Sequence, residues 1–322
     1  MISRFLREIP AIILTLYEFC AIILWTSRIW VIEMDAPKTQ RYIMYIVLQS
    51  ILYGYMDIVT KQAYQIMSAQ CFLFLRYLLA ALIMIILWGK QIKEELLKVS
   101  VSKYIVSGLC MSCAFIFSNL ALQFTAATNM SFIRSLSALI VPVLAFVFYK
   151  QKFKKTEPIL MLCMLVGLYL LCAKGGLNGF GLGEVLAFAA ATLVAGSLVF
   201  GKGALEHVSA KTLSFVQTIL AVIFCGIVAA VSGNLGDVVY VTSPRIIFSM
   251  FYAAVGCTII GYMLQNIALQ HISAKKIGIV QCLYPISTAL FAFMFLSERL
   301  SFAGIAGALI IIICVIAENI SH

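Results

Sequence analysis

From Tyr42 onward, long apolar runs alternate with short polar breaks. The runs cover about residues 42–60, 71–89, 104–122, 130–149 and 158–173, and a Gly-rich break at Gly175 to Gly183 separates them from runs at about 184–200, 212–231, 246–269, 277–296 and 301–317. Each is near the length that crosses a hydrocarbon core of about 30 Å as a helix. Lipid offers backbone groups no partner, so such runs must bond internally as helices. The pattern predicts an all-α polytopic membrane protein of ten transmembrane helices, five on each side of the break. Ile9 to Trp25 is a further, shorter apolar stretch, flanked by Arg4, Arg7 and Arg28 and carrying Glu18. It reads as an interfacial helix, an extra span, an uncleaved signal-like segment or an over-long start ahead of Met34, so residues 1–40 are set apart as an extension.

The two groups of five repeat one another. Asn119-Leu120-Ala121-Leu122-Gln123 returns as Asn266-Ile267-Ala268-Leu269-Gln270, 147 residues later, and the same offset pairs Leu136 with Leu283, Phe146 with Phe293 and Lys152 with Arg299. Nearer the start of each half the offset is 141, pairing Lys61, Ser68, Phe74 and Arg76 with Lys202, Ser209, Phe215 and Gln217. The charged loop from Lys90 to Lys103 absorbs the difference. A match held over that distance is one unit used twice, here residues 41–174 and 180–318.

Composition narrows the class. The chain is 63% hydrophobic and 11% charged, against roughly 25% charge in soluble domains. A net charge of +10 could suggest nucleic acid, but the cations fall in short loops between apolar runs, so no nucleic-acid partner is expected. With the end before Tyr42 placed inside, inner loops hold Lys90, Lys93, Lys98, Lys103, Lys150, Lys152, Lys154, Lys155, Lys202, Lys211, Lys275 and Lys276. Outer loops hold only Lys61, Lys174, Arg245 and Arg299. Positive loops stay cytoplasmic, which puts both ends of the ten-helix core in the cytoplasm. An odd number of spans per repeat then inverts the second half relative to the first, an arrangement whose site lies between the repeats near the midplane.

Charge inside a span is expensive and should face a partner or a cavity. Gln49, Tyr53, Asp57 and Lys61 recur every four residues on one helical face. Asp57, Arg76 and Arg134 lie at similar depth from the outer ends, about one to two turns in. An Asp57–Arg76 ion pair could simply lock two helices, but it leaves Arg134 without an acid. The repeat aligns Arg76 with Gln217 and Arg134 with Gln281, which predicts a path with cationic groups in one half and neutral amides in the other. Arginine's planar fork suits carboxylate or phosphate, so a substrate with an anionic group is expected. Asn119 and Asn266 either join helices or line the path. Two further stripes, Thr258, Tyr262, Gln265 and Asn266, and Gln281, Tyr284, Pro285 and Thr288, complete the expected lining. Pro142 and Pro285 should weaken their helices, and Gly304 and Gly307 should permit close packing, in the fold or in a homodimer. Cys110 and Cys113 form a C-x-x-C on a membrane helix with no histidine nearby, and no metal or cofactor is expected.

The hairpin from Tyr53-Gly54 to Lys61, Phe74-Leu75-Arg76-Tyr77-Leu78-Leu79-Ala80-Ala81, the Asn119 run, and Leu296-Ser297-Glu298-Arg299-Leu300-Ser301 leading to Gly304 and Gly307 together resemble the drug/metabolite transporter superfamily, in particular its bacterial EamA-type members. The resemblance covers about residues 42–318. It implies a ten-span, two-repeat carrier of the inner membrane that exports metabolites, amino acids or drugs. Lys150-Gln151-Lys152, Arg134 and Tyr53 depart from the usual pattern. The expectation is therefore a secondary-active or exchange transporter of small organic solutes, working by alternating access. The alternatives are an intramembrane enzyme or a channel. The sequence has no G-x-x-x-x-G-K-[ST], H-E-x-x-H or G-x-S-x-G, and His207, His271 and His322 fall at loop or terminal positions.

Overall fold

A computed structural model describes residues 38–124, 130, 133–151, 157–172, 181–296 and 301–320. The Ile9 to Trp25 stretch, Lys152 and the Glu298 and Arg299 turn lie outside the described residues. Among the described residues each of the ten predicted runs contains a helix: α1 (Lys38–Ala63), α2 (Ala69–Lys98), α3 (Ile105–Phe124), α4 (Ile133–Tyr149), α5 (Glu157–Cys172), α6 (Leu182–Ala204), α7 (Ala210–Val231), α8 (Pro244–His271), α9 (Ala274–Phe295) and α10 (Phe302–Ile320). Of these, α1, α2, α6, α7, α8 and α9 are long and apolar enough to cross a membrane, while α3, α4, α5 and α10 contain shorter apolar helices.

Local chemistry sets the ends and breaks. The hydroxyls of Ser209 and Ser273 accept the backbone N–H of Thr212 and Lys276, each at 3.3 Å, at the starts of α7 and α9. Helix α9 turns at Gln281 and Cys282. Pro285 has no N–H to offer the Gln281 carbonyl, which accepts from Tyr284 instead at 3.0 Å. Helix α4 turns at Leu136, the repeat equivalent of Leu283. Pro142, by contrast, is accommodated within an unbroken Ser137–Tyr149 segment. Inside α8 the backbone widens to a π-helix over Tyr252–Ile260, packed on α1 where the Tyr252 hydroxyl donates to the Leu52 carbonyl at 2.8 Å.

The helices pair by a repeating rule. Helix α3 packs on α6 as α8 packs on α1, α4 packs on α6 as α9 packs on α1, and the matched pairs α2 with α7 and α5 with α10 pack on each other. The matched helices α2 and α7 run antiparallel. The Ser68 N–H at the start of α2 donates to Asp237 beyond the end of α7 at 2.8 Å, and the Ser209 N–H before α7 donates to Glu95 near the end of α2 at 2.9 Å. Glycines allow the closest approaches. A Cβ on Gly54 of α1 would sit 2.7 Å from the Thr288 backbone of α9, and one on Gly167 of α5 would sit 3.1 Å from the Gly307 carbonyl of α10. Gly307 is thus used within the chain. The largest buried cluster lies between the halves, with Ile46, Leu198, Leu269, Ile277 and Val280 among its members.

Two lysines assigned to loops from the sequence are structural. Lys275 is buried and pairs with Glu157 of α5 at 3.1 Å. Lys202 donates to the carbonyls of Leu269 and Gln270 at 2.7 and 3.0 Å, satisfying the C-terminal end of α8.

Candidate functional site

Between the halves lies a cavity of about 50 Å³, lined from α1 by Gln49, Ser50 and Tyr53, from α3 by Met111 and Phe115, from α4 by Arg134, Ser135 and Ser137, from α6 by Val194, from α8 by Gln265, and from α9 by Gly278, Gln281 and Tyr284. Waters need roughly 10–15 Å³ of such volume each. The cavity therefore has room for a few waters only, and admitting an organic solute requires the walls to move apart. The turns in α4 and α9 put Arg134 and Gln281 at the breaks of their helices, facing the same space from opposite repeats.

One wall is amide. Gln281 donates to the side-chain oxygens of Gln49 and Gln265 at 3.1 and 2.9 Å, and Gln49 donates to Gln265 at 3.0 Å and to the Gly261 carbonyl at 3.1 Å. The opposite wall is aromatic and charged. Asp57 accepts from the Tyr284 hydroxyl at 2.6 Å and from Thr288 at 2.9 Å. The Arg134 guanidinium lies over the rings of Tyr284 and Phe115, at 5.3 and 5.7 Å from their centroids. Arg76 lies over the Phe115 and Tyr77 rings at 5.6 and 4.5 Å and donates to the Tyr77 hydroxyl at 2.9 Å. Such face contacts hold a cation by the ring quadrupole.

The expected site residues therefore divide. Tyr53, Arg134, Gln281 and Tyr284 line the cavity, and Asp57 and Arg76 join it through Tyr284 and Phe115. The Asp57–Arg76 ion pair does not form. Asp57 is bonded to two hydroxyls, and both guanidiniums lie over aromatic rings. Tyr262 lies behind the wall, its hydroxyl 3.4 Å from that of Tyr77. Gln217 and Asn266 form a separate buried cluster, in which Asn266 donates to Ser214 and Gln217 at 2.8 and 3.0 Å and Gln217 donates to Ser107 at 3.3 Å. Gln265 and Asn266 are adjacent and so point about 100° apart on an α-helix. The α8 stripe cannot face one space: Thr258 turns back to the Ala253 carbonyl at 3.0 Å. The Asn119 side chain lies outside the described residues.

The lining residues outside the expected path are Ser50, Met111, Phe115, Ser135, Ser137, Val194 and Gly278, small, apolar or hydroxyl groups on otherwise apolar helices. Only the repeat could have pointed to Phe115, since Tyr262 stands in the corresponding place of the second half, at the 147-residue offset. Among the described residues no cluster of three His, Cys, Asp or Glu side chains could hold a metal, and Cys110 and Cys113 are free thiols.

The model of the EamA-like transporter family matches this chain twice, over residues 40–173 and 181–317. Two proteins of Archaeoglobus fulgidus, each named an uncharacterized transporter, are similar to it. One is 28% identical over 251 residues, covering 74% of this chain and 83% of the relative, and the other is 23% identical over 274 residues, covering 85% and 84%. A solved crystal structure has the same fold, with a TM-score of 0.70 at 12% identity over 88% of this chain and 99% of its own. A duplicated family match coinciding with the two sets of five helices, together with relatives named as transporters, places the chain in the EamA-like transporter family, as a multi-pass membrane transporter.

Proposed function

We propose that this transporter is a secondary or exchange-type carrier that exports small organic solutes across the cell membrane by alternating access around the central cavity. All ten helical segments span the bilayer in this reading, with both ends of the core in the cytoplasm and the second repeat inserted upside down. The observation that carries the proposal is a cavity with charged and amide side chains in its lining, held between two matched halves whose equivalent helices α2 and α7 run antiparallel. Inverted repeats around a midplane site are the architecture of rocking carriers. Cavity size supports movement, because the present space is far below the roughly 300–1,000 Å³ of sites that enclose a small molecule.

The path residues are Tyr53, Asp57, Arg76, Arg134, Gln281 and Tyr284, with Tyr262, Gln217 and Asn266 holding the helices that carry them. Asp57 is the group placed to couple proton movement, being a carboxylate within the bundle bonded to two hydroxyls. Counterflow of a metabolite panel through the purified full chain in proteoliposomes tests the proposal, run with and without a pH gradient. Saturable counterflow is expected, and its response to the gradient separates proton coupling from exchange. Single-channel currents without counterflow would replace the carrier by a channel. Cysteines placed in the links after α3 and α8 should label from opposite faces of the membrane, and labelling from one face would remove the inverted arrangement.

A further inference from the structure

Two guanidinium groups and one carboxylate share the ring-lined side of the cavity, and they are held unequally. Arg76 is 1% exposed, donates to the Tyr77 hydroxyl at 2.9 Å and contacts the Met56 sulfur at 3.3 Å. Asp57 is bonded to Tyr284 and Thr288. Arg134 lines the cavity between the Phe115 and Tyr284 rings, and no acceptor among the described residues bonds its guanidinium. Ring faces hold a cation without using its N–H groups, so the five-donor fork is left for another partner. Two guanidiniums beside one carboxylate leave one positive charge in excess away from bulk water, which a bound anion offsets. Two neighbours in the lining add donors without acceptors, since the Gln265 amide nitrogen and the Tyr53 hydroxyl are buried with no partner.

We propose that the cavity binds the carboxylate of a monoanionic organic acid, gripped by the fork of Arg134 between Phe115 and Tyr284, with the apolar remainder of the acid against Met111 and Val194. The inference rests on the cavity being the carrier's site and names what that site takes. A single carboxylate matches a single unbonded guanidinium. A phosphate group brings about two negative charges at neutral pH and would need a second open guanidinium, whereas Arg76 already points two of its nitrogens at Met56 and Tyr77 and keeps only its buried Nε unbonded. An amino acid brings an ammonium group that needs acceptors, and the side-chain oxygens of Gln49 and Gln265 already accept amide N–H groups.

The test is binding to the full chain in lipid nanodiscs, read by titration calorimetry and thermal shift. The probes are pyruvate, 4-methyl-2-oxopentanoate and benzoate, with benzamide, leucine and inorganic phosphate as controls. At least one carboxylate should bind and raise the unfolding midpoint, while the controls should not. Arg134→Gln should weaken that binding at least tenfold, and Arg134→Lys, which keeps the charge but not the fork, should weaken it less. Should Arg134→Gln fail to fold, the Lys variant and Phe115→Leu carry the test, and wild-type affinity in both overturns the site. Absence of binding by all three carboxylates also overturns it, as does preference for leucine or phosphate over every carboxylate. Counterflow of some other solute without carboxylate binding keeps the carrier and removes the anion site. Carboxylate binding without any flux keeps the site and removes the carrier.

Discussion

Asn266 illustrates how one buried polar side chain can serve the fold without touching the cavity. It is fully buried in α8, and its amide joins Ser214 and Gln217 of α7. Hydrogen bonds between membrane helices contribute on average about 0.6 kcal/mol and at most about 1.7. Asn266→Ala should therefore lower stability by about 1 kcal/mol and leave the affinity for a cavity ligand unchanged, as read by thermal unfolding and binding on the same preparation. A large loss of affinity would move Asn266 into the site. Legibility at this scale was uneven. Asp57, Arg76 and Arg134 stand out because charge is rare in a span. Their actual partners do not, because Tyr284, Thr288 and Phe115 are ordinary residues of apolar helices. Electrostatics alone would have paired Asp57 with Arg76, whereas Asp57 bonds two hydroxyls and Arg76 lies on the Tyr77 and Phe115 rings.

Among the elements, the contact of α1 with α9 depends on a missing side chain. A Cβ on Gly54 would meet the Ser287 Cβ at 2.6 Å and the Ser287 and Thr288 backbone at 2.7 Å. Backbone cannot step aside as a flexible side chain can. Gly54→Ala should thus cost about 1–3 kcal/mol, the range for overpacking, and should appear as a lower midpoint or a loss of monodisperse protein. The end of α4 offers the opposite change. Lys150 sits at φ 52°, ψ 27°, and its N–H bonds back to Phe146 at 2.9 Å. A side chain in the left-handed region costs about 1–2 kcal/mol. Lys150→Gly is expected to raise stability by about 1 kcal/mol, measured by the same unfolding assay. The run lengths foretold most helix ends to within a few residues. Helix α2 instead runs on to Lys98, nine residues into the expected Lys90 to Lys103 loop, because its charged last turns still carry Ile92, Leu96 and Leu97 and keep helical spacing. The runs did not foretell the turns inside α4 and α9, because apolar residues continue on both sides of Leu136 and Gln281 and run length alone does not register the break.

At the scale of the whole molecule, the halves are tied at both ends of the α2–α7 pair by one repeated device. A carboxylate from one repeat, Glu95 or Asp237, receives the N–H that precedes the matched helix of the other. The Ser68 hydroxyl and N–H both face Asp237, which lies in the link between α7 and α8, and hold its carboxyl below the ordinary range. A depressed folded pKa means the stabilisation is present at neutral pH and is lost as pH falls through that folded value. The midpoint of the wild-type chain should accordingly approach that of Asp237→Asn only below about pH 4, with a constant gap above it. A gap that already closes between pH 5 and 7 would show that Asp237 has no such role.

Hydrophobic run lengths, the repeated Asn119 and Asn266 segments and the rarity of charge determined the class of this protein, its helical character, the duplication and three of the groups beside the cavity. These properties are local or periodic, because the bilayer demands them of each span separately and duplication copies them. Which polar residues meet was decided by tertiary structure. The packing of the repeats on each other and the helix turns at Leu136 and Gln281 bring Arg134, Gln281 and Tyr284 to one space. They also send Gln217 and Asn266 to another and take Lys202 and Lys275 out of the loops. Partner choice among buried polar groups depends on the angle and depth of neighbouring helices, and one helix's sequence carries neither.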